Sequence, residues 1–335
     1  MSDEYPIRSS HWLQRLYLRL HHRKFQKRKD KQNRSLALVV SLGNLSAGGT
    51  GKTPLGVWML QEALSRGYRP AVVLRGYGGK KSRSGGLAFD GSRFLMDASE
   101  SGDEAQLYNV PGARVIVGSD RWKAIQDFAT DIDFIVLDDA FQNPSVHREV
   151  NLVLLDSTVA PGDASLIPLG KFREPILALQ RASAVILTRT DLAAGQAAQW
   201  KRIIQSSFPA LPVWESIHAA GAVLPALKPG PVVAVSGIGN PSGFEATLTA
   251  AGYDVQSHIR YSDHHRYRMS DVLSWQKGWP VVTTEKDLVR IRQIATVDNL
   301  DARSSEKPHL RGLHYLPVRL KMDFKELSKL IFESV

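Results

Sequence analysis

The sequence predicts an α/β protein of two lobes, each a mainly parallel sheet covered by helices in an α/β/α arrangement, preceded by an amphipathic helix. Three observations carry this expectation. From Leu36 to about residue 215, apolar strand-like runs alternate with helical stretches, the pattern of parallel strands joined by crossovers. The segment Leu224-Pro225-Ala226-Leu227-Lys228-Pro229-Gly230-Pro231 then breaks the alternation, and its proline density makes it extended and stiff. A shorter alternation follows. The expected divisions are residues 1–34 for the amphipathic helix, 35–222 for the larger lobe, 223–231 for the linker and 232–335 for the smaller lobe. A chain of 335 residues with 43% hydrophobic content has room for two cores.

Bulk properties narrow the setting. No stretch approaches the roughly 18 uninterrupted apolar residues of a membrane-spanning helix. The start, Met1-Ser2-Asp3-Glu4-Tyr5, lacks the layout of a secretory signal. Cysteine is absent, which excludes disulfides and thiolate zinc sites and is compatible with a reducing cytosol. The net charge of +10 points to a polyanionic partner. Most of the excess falls in residues 1–34, where Arg8, Arg15, Arg19, Arg23, Lys24, Lys27, Arg28, Lys29, Lys31 and Arg34 face only Asp3, Glu4 and Asp30. There Trp12, Leu13, Leu16, Tyr17 and Leu20 recur at helical spacing. Such a helix either lies on anionic lipid, each cation contributing about 1 kcal/mol, or packs on the first lobe with a solvated basic face. No recognition-helix or RNA-binding signature supports nucleic acid as the partner.

The larger lobe is organised around one stretch. Leu36 to Val40 is an apolar strand, Gly43 to Thr53 a glycine-rich turn, and a helix then runs to about Gly67. Glycines in such a turn let backbone N–H groups point inward at an anion, and the helix N-terminus adds its dipole. The residues from Ser46 through Ala47, Gly48, Gly49, Thr50 and Gly51 to Lys52 and Thr53 therefore form a phosphate loop in a P-loop NTPase-like lobe. Lys52 is placed for the β- and γ-phosphates and Thr53 for Mg²⁺. Pro54 suits the first helical turn. Ser46 stands where the full consensus has glycine, so the assignment rests on Gly48, Gly49, Gly51, Lys52 and Thr53 in their strand-to-helix setting.

The remaining elements follow in order. Ala71-Val72-Val73-Leu74 is a strand ending at the turn Arg75-Gly76-Tyr77-Gly78-Gly79, placed to border the crevice at the strands' carboxyl ends. Residues 80–101 form a long polar excursion. Gly102-Asp103-Glu104 opens a helix, where acidic residues complement the dipole. Arg114 to Val117 is a strand, with a helix after it through Phe128. Phe134-Ile135-Val136-Leu137 is a strand closing on Asp138 and Asp139, the position from which phosphate-loop proteins supply an Asp to Mg²⁺. Two further strands, Asn151–Asp156 and Ala184–Thr188, complete the first sheet. In the smaller lobe, strands are expected at Val232–Ser236, from Asp254 and at Val281–Thr284, with helices from about Pro241 and Asp323. The Asp263-His264-His265 cluster is open to three readings: a metal site, a general base with its orienting carboxylate, or a polar turn.

Taken together, Gly43-Asn44, Gly48 to Pro54, Arg75-Gly76-Tyr77-Gly78-Gly79, Gly102-Asp103-Glu104, Leu137-Asp138-Asp139-Ala140-Phe141-Gln142, Arg173-Glu174-Pro175, Asp263-His264 and Thr284-Glu285-Lys286-Asp287 resemble, in that order, the tetraacyldisaccharide 4′-kinases. Ala140, where a glycine is common, and Asn143-Pro144, in place of a more basic sequence, depart from that pattern. The resemblance implies an ATP- and Mg²⁺-dependent kinase that phosphorylates the 4′-hydroxyl of the lipid A disaccharide 1-phosphate, forming lipid IVA at the anionic cytoplasmic face of the bacterial inner membrane. It implies Lys52 and Thr53 at the phosphates and metal, Asp138 or Asp139 at Mg²⁺, Asp103 as acceptor of the sugar proton and His264 as its partner. Asn44, Arg75, Tyr77, Arg121, Gln142, Arg173, Glu174 and Asp263 are implied around the substrate. It sets no oligomeric state. Two other classes compete: a phosphate-loop ligase or amidase, and a nucleotide-switched regulator, for which Thr188-Arg189-Thr190-Asp191 lacks the Asn and Lys of a guanine-reading turn.

Overall fold

The computed structural model describes residues 11–46, 48–275, 278–297 and 312–333. The first sheet has eight strands: β1 (Leu38–Asn44), β2 (Pro70–Leu74), β3 (Gly86–Phe89), β4 (Arg114–Val117), β5 (Phe134–Leu137), β6 (Val150–Asp156), β7 (Ala184–Thr188) and β8 (Val213–Glu215). Their order is β3-β4-β2-β5-β1-β6-β7-β8. All neighbours are parallel except β3, which runs antiparallel to β4 at one edge. β1, carrying the phosphate loop at its carboxyl end, is central, flanked by β5 and β6.

Alternating side chains explain the layers. Val40, Leu42, Val72, Phe134 and Val136 face the helix α2 (Lys52–Ser65) through Leu55, Met59 and Leu60. Val39, Val73, Ile135 and Leu137 face the opposite way, onto Ala124 and Ile125 of the helix from Arg121 to Phe128. Further along that side, Val153, Leu155, Val185 and Leu187 meet Trp200 and Ile204 of the helix from Ala194 to Ser207. Each such side chain, taken out of water, stabilises the fold by about 1.5–3 kcal/mol before entropy is counted.

Ahead of this sheet lies the helix α1 (Trp12–Lys29). It is anchored through Gln14, whose buried amide donates to the Leu166 carbonyl at 2.9 Å, and through Leu18, packed on the second-side cluster. Residues 1–10 of the expected segment lie outside the described residues. The polar excursion at 80–101 holds more structure than its composition suggested: the edge strand β3 and a one-turn helix, α3 (Ala98–Ser101).

The second sheet is smaller and fully parallel, with the order β11-β10-β12-β13 for β10 (Pro231–Ser236), β11 (Asp254–Arg260), β12 (Val281–Thr284) and β13 (Leu313–Leu316). Phe244 and Leu248, on the helix Pro241–Ala250, cover one face. Leu288 and Ile291 of α8 (Glu285–Val297), with Val272 and Trp275 of the helix Met269–Trp275, cover the other. We number the helices on these two lobes α4 (Arg121–Phe128), α5 (Ala194–Ser207), α6 (Pro241–Ala250) and α7 (Met269–Trp275).

The chain crosses between the lobes twice, and the crossings pair. β9 (Ile217–Ala220), leaving the first sheet, runs antiparallel to β14 (Val318–Lys321), which returns to it. The final helix, α9 (Lys325–Phe332), then packs on the first lobe: Leu327 and Ile331 join the α2 core, Phe324 stacks on Trp58 at 4.2 Å and Phe332 on Phe134 at 5.3 Å. A division that assigns 232–335 to the smaller lobe as one block therefore misplaces this helix, whose apolar face finds its partners on the larger one.

Candidate active site

The phosphate loop is built as its composition requires. Gly51 has φ of 88° and is the N-cap of α2, so the helix begins at Lys52 with its amides turned toward the loop. Gly48 is also left-handed, at φ of 120°. Ser46 and Thr50 are buried at the two ends of the turn, Gly49 is exposed, and Ala47 lies outside the described residues. Asn44 sits beneath the loop, fully buried, its amide donating to Gly48 O at 3.4 Å and Thr50 Oγ1 at 3.3 Å. These bonds hold the loop's shape, and its Oδ1, buried, has no hydrogen-bond partner among the described residues.

Asp138 and Asp139 end β5 in different surroundings. Asp138 is buried, and burial pushes its carboxyl up to about 6; Lys52 pulls the other way, while Glu104 and Asp139 add to the rise. Its Oδ1 accepts the Asp139 N–H at 2.8 Å. Asp139, at φ of 47°, faces the opposite charge: Lys52 Nζ lies 3.3 Å from it, and Arg173 Nη1 donates to both its oxygens at 3.0 and 2.9 Å. Burial acts to raise its carboxyl, but Lys52, Arg173 and Arg121 outweigh that and hold it well below the usual carboxylate range. Arg121 is itself buried, with Nη2 donating to the carbonyls of Asp138 at 2.8 Å and Asp139 at 3.2 Å. Through Nη2 it braces the turn that aims the two carboxylates, while its Nε has no hydrogen-bond partner among the described residues.

Gln142 and Glu174 play a similar bracing part. Gln142 donates to the Asn44 carbonyl at 2.8 Å and to Glu174 at 3.1 Å. Glu174, buried, also pairs with Arg181 at 2.8 Å and lies 3.7 Å from His21 of α1.

Asp103 does not end a strand. It follows α3 and Gly102 and opens a short 3-10 turn, Glu104–Leu107. Its position comes from backbone packed on backbone: Gly102 has φ of 85°, and a Cβ there would lie 2.6 Å from the Tyr77 carbonyl. The Arg75–Gly79 turn beyond β2 thus supports it from below. Arg75 and Tyr77 are exposed beside it, the Tyr77 ring 5.5 Å from that of His264.

The second lobe meets this edge directly. His264, at φ of 60°, places Nδ1 3.5 Å from Asp103 Oδ2, and Asp263 Oδ1 lies 4.0 Å from its Nε2. Arg290 of α8 binds Asp103 Oδ2 through Nε at 2.6 Å, and Lys286 pairs with Glu104 at 3.1 Å. Burial acts to raise the Asp103 carboxyl; the positive charges of Arg290 and Lys286 oppose it, and the net effect holds it well below the usual range. Gly239, after β10, lets the second lobe approach the loop: a Cβ there would sit 3.2 Å from Gly48 Cα.

Three more residues stand at the crevice, of which Tyr108 and His218 carried no sequence signal. Tyr108 is fully buried, its hydroxyl beside Asp138 and Thr53 but out of hydrogen-bond geometry with any described residue. His218 of β9 presses on Gly51, and burial, then Arg189, drives its imidazole down to about 3. Arg189 pairs with Asp156 and donates to the Gly49 carbonyl at 2.9 Å. Arg290 did have a signal, since Lys286, Asp287 and Arg290 share one helix face. Among the described residues no cluster of three or more His, Asp and Glu is suited to a metal. The Asp263–His265 segment is a polar turn that supplies His264.

The residues suit a Mg²⁺–nucleotide. A hydroxyl at Thr53, a carboxylate at Asp138 and an unpartnered Tyr108 hydroxyl form an all-oxygen environment, and Mg²⁺ takes few protein ligands when phosphates supply others. Residues 7–335 match the family described as LpxK, tetraacyldisaccharide-1-P 4′-kinase. The tetraacyldisaccharide 4′-kinase of Desulfatibacillum aliphaticivorans is 36% identical over 300 residues, covering 82% of this chain and 80% of that protein. That of Aeromonas hydrophila is 34% identical over 278 residues, covering 80% and 78%. A crystal structure of LpxK from Aquifex aeolicus in complex with ATP shares the fold with a TM-score of 0.72, at 23% identity and over 96% of both chains.

Proposed function

The chain belongs to the tetraacyldisaccharide-1-P 4′-kinase family, and from that premise we propose how its crevice carries out the transfer. The enzyme uses ATP, the nucleotide bound to LpxK in the Aquifex aeolicus crystal structure, to phosphorylate the 4′-hydroxyl of the tetraacyldisaccharide 1-phosphate of lipid A synthesis. The observation that carries the mechanism is that the second lobe's His264 and Arg290 close on Asp103, while Glu104, the residue after it, is near enough to act on Asp138 beside the Lys52–Asp139 pair.

The amides from Gly48 to Thr53 cradle the triphosphate, and Lys52 draws charge from its β- and γ-oxygens. Thr53 and Asp138, with Tyr108 beside them, would hold Mg²⁺, which would supply positive charge to offset that of the phosphates. Asp139 belongs to the phosphate side, since it keeps Lys52 and Arg173 aimed at one place. Asp103 accepts the sugar proton late in the transfer: the O–H bond breaks, the new O–P bond forms, and the electron pair of the broken γ-bond leaves on ADP. Arg75, Tyr77 and Asp263, exposed at the rim, contact the head group.

The acyl chains call for a lipid surface, and α1 has the face for it. Trp12, Leu16 and Leu20 are 65%, 46% and 57% exposed while Gln14 and Leu18 pack inward. Leu169 and Leu177 are exposed as well. We assign α1 to peripheral docking on the anionic cytoplasmic face of the inner membrane; none of the described helices is long and apolar enough to cross a membrane. Incubation of purified enzyme with ATP, Mg²⁺ and the disaccharide 1-phosphate should yield the 4′-phosphorylated lipid. Release of free phosphate with the lipid unchanged would refute the assignment.

A further inference from the structure

Arg290 is the most completely committed cation at the crevice. A guanidinium carries five N–H donors in a fixed plane, and all five are accounted for. Nε donates to Asp103 Oδ2 at 2.6 Å. Nη1 donates to the Gly237 carbonyl at 2.7 Å and to Asp287 Oδ1 at 3.0 Å. Nη2 lies 2.5 Å from Asp103 Oδ2 and 3.1 Å from His264 Nδ1. Asp287 is fixed in turn, its Oδ2 accepting from Gly237 N at 3.0 Å and Thr284 Oγ1 at 2.7 Å. The fork is therefore rigid, and it belongs to the second lobe while Asp103 belongs to the first.

The plane of donors constrains both of its neighbours. A proton on His264 Nδ1 would set an N–H against the guanidinium N–H, donor facing donor, and an imidazolium would bring two cations together. A bare Nδ1 accepts from Nη2 instead, which leaves the proton on Nε2, the nitrogen 4.0 Å from the Asp263 carboxylate. At Asp103 the guanidinium takes Oδ2 from two sides. Oδ1 accepts only the Glu104 N–H, at 3.0 Å, among these contacts, and keeps a second acceptor site.

We infer that Arg290 is a positioning residue: delivered by the second lobe, it fixes the His264 proton on Nε2 and makes Oδ1 of Asp103 the atom open to the sugar hydroxyl. This rests on the reading of Asp103 as proton acceptor. It also makes the Nε2–H of His264, not an Nδ1–H, the one available in the crevice. The group that orients Asp103 thus comes from the opposite lobe, on α8.

Histidine nitrogen resonances of the full-length enzyme labelled with ¹⁵N-histidine test this, with His264→Gln identifying the signals. At neutral pH, His264 Nδ1 should resonate as an unprotonated nitrogen and Nε2 as a protonated one. The reverse in the unaltered enzyme overturns the inference without any variant needing to fold. In Arg290→Met the Nδ1 signal should move toward the protonated position, and kcat should fall about 100-fold from the misplaced carboxylate while KM for ATP stays within about twofold. Arg290→Lys, which keeps the charge but loses the fork, should recover little of that loss; full recovery would show that charge alone suffices and would overturn the positioning role. A normal rate in Asp103→Ala would refute the proton-acceptor reading separately, with the nitrogen resonances still deciding the tautomer.

Discussion

At the residue scale, the site is a set of carboxylates separated by their neighbours. Asp103 meets Arg290 from α8 and His264 from the turn after β11, and Lys286 of α8, paired with Glu104, acts on it through its charge. Burial raises its carboxyl and the two cations lower it, with the net effect downward. The ionised form therefore persists to lower pH than an ordinary Asp allows. Removing Arg290 takes away part of the lowering and none of the burial, so the acid limb of kcat/KM should move to higher pH in Arg290→Met. A pH–rate profile that superimposes on the unaltered enzyme would contradict this role for the cations around Asp103. The types and order of these residues were readable in the sequence, because phosphate chemistry demands glycine, lysine and a β-end aspartate at fixed places. Their division of labour was not. Asn44 and Arg121 carry polar groups that look suited to a sugar phosphate, yet the same groups satisfy buried carbonyls, and sequence does not distinguish the two uses. Tyr108 and His218 gave no hint, since nothing local to either residue says that it will end beside the phosphate loop.

At the element scale, α1 and α9 show how amphipathicity announces a helix without naming its partner. The outward row on α1 is separable from the inward one. Changing Trp12, Leu16 and Leu20 together to serine should leave the fold intact and reduce sedimentation with anionic vesicles by at least about tenfold, since each large apolar group transferred from water is worth about 1.5–3 kcal/mol. Unchanged vesicle binding would remove α1 from the membrane contact. Deleting the segment outright would be a poorer test, because Gln14 and Leu18 are part of the lobe's packing. For α9, Ile331→Ala opens a cavity in the core shared with α2 and should cost about 2–5 kcal/mol, read as a lowered Tm of the larger lobe. A Tm shift confined to the smaller lobe would place the helix there instead. Strands with long apolar runs, such as β1, β5 and β7, were legible from composition. β3 and β9 were missed because short edge and ribbon strands take their stability from pairing rather than from a buried run. The same holds for β14, whose partner lies about a hundred residues away.

At the scale of the whole molecule, two parallel sheets turn their carboxyl ends toward each other and the chain's two crossings lie side by side as β9 and β14. The first lobe brings the phosphate loop, Asp138, Asp139 and Asp103; the second brings His264, Arg290 and Lys286. Glycine lets backbones lie close at two places: Gly239 of the second lobe against Gly48 of the first, and Gly102 against Tyr77 within the first. The mechanism requires that Asp103 serve the chemistry and not the nucleotide. The most direct test compares Asp103→Ala with the unaltered enzyme for turnover and, separately, for equilibrium ATP binding. Loss of the proton acceptor should lower kcat about 10²–10⁴-fold with ATP affinity changed less than about threefold. Equal losses in both quantities would place that carboxylate in nucleotide binding and contradict the mechanism.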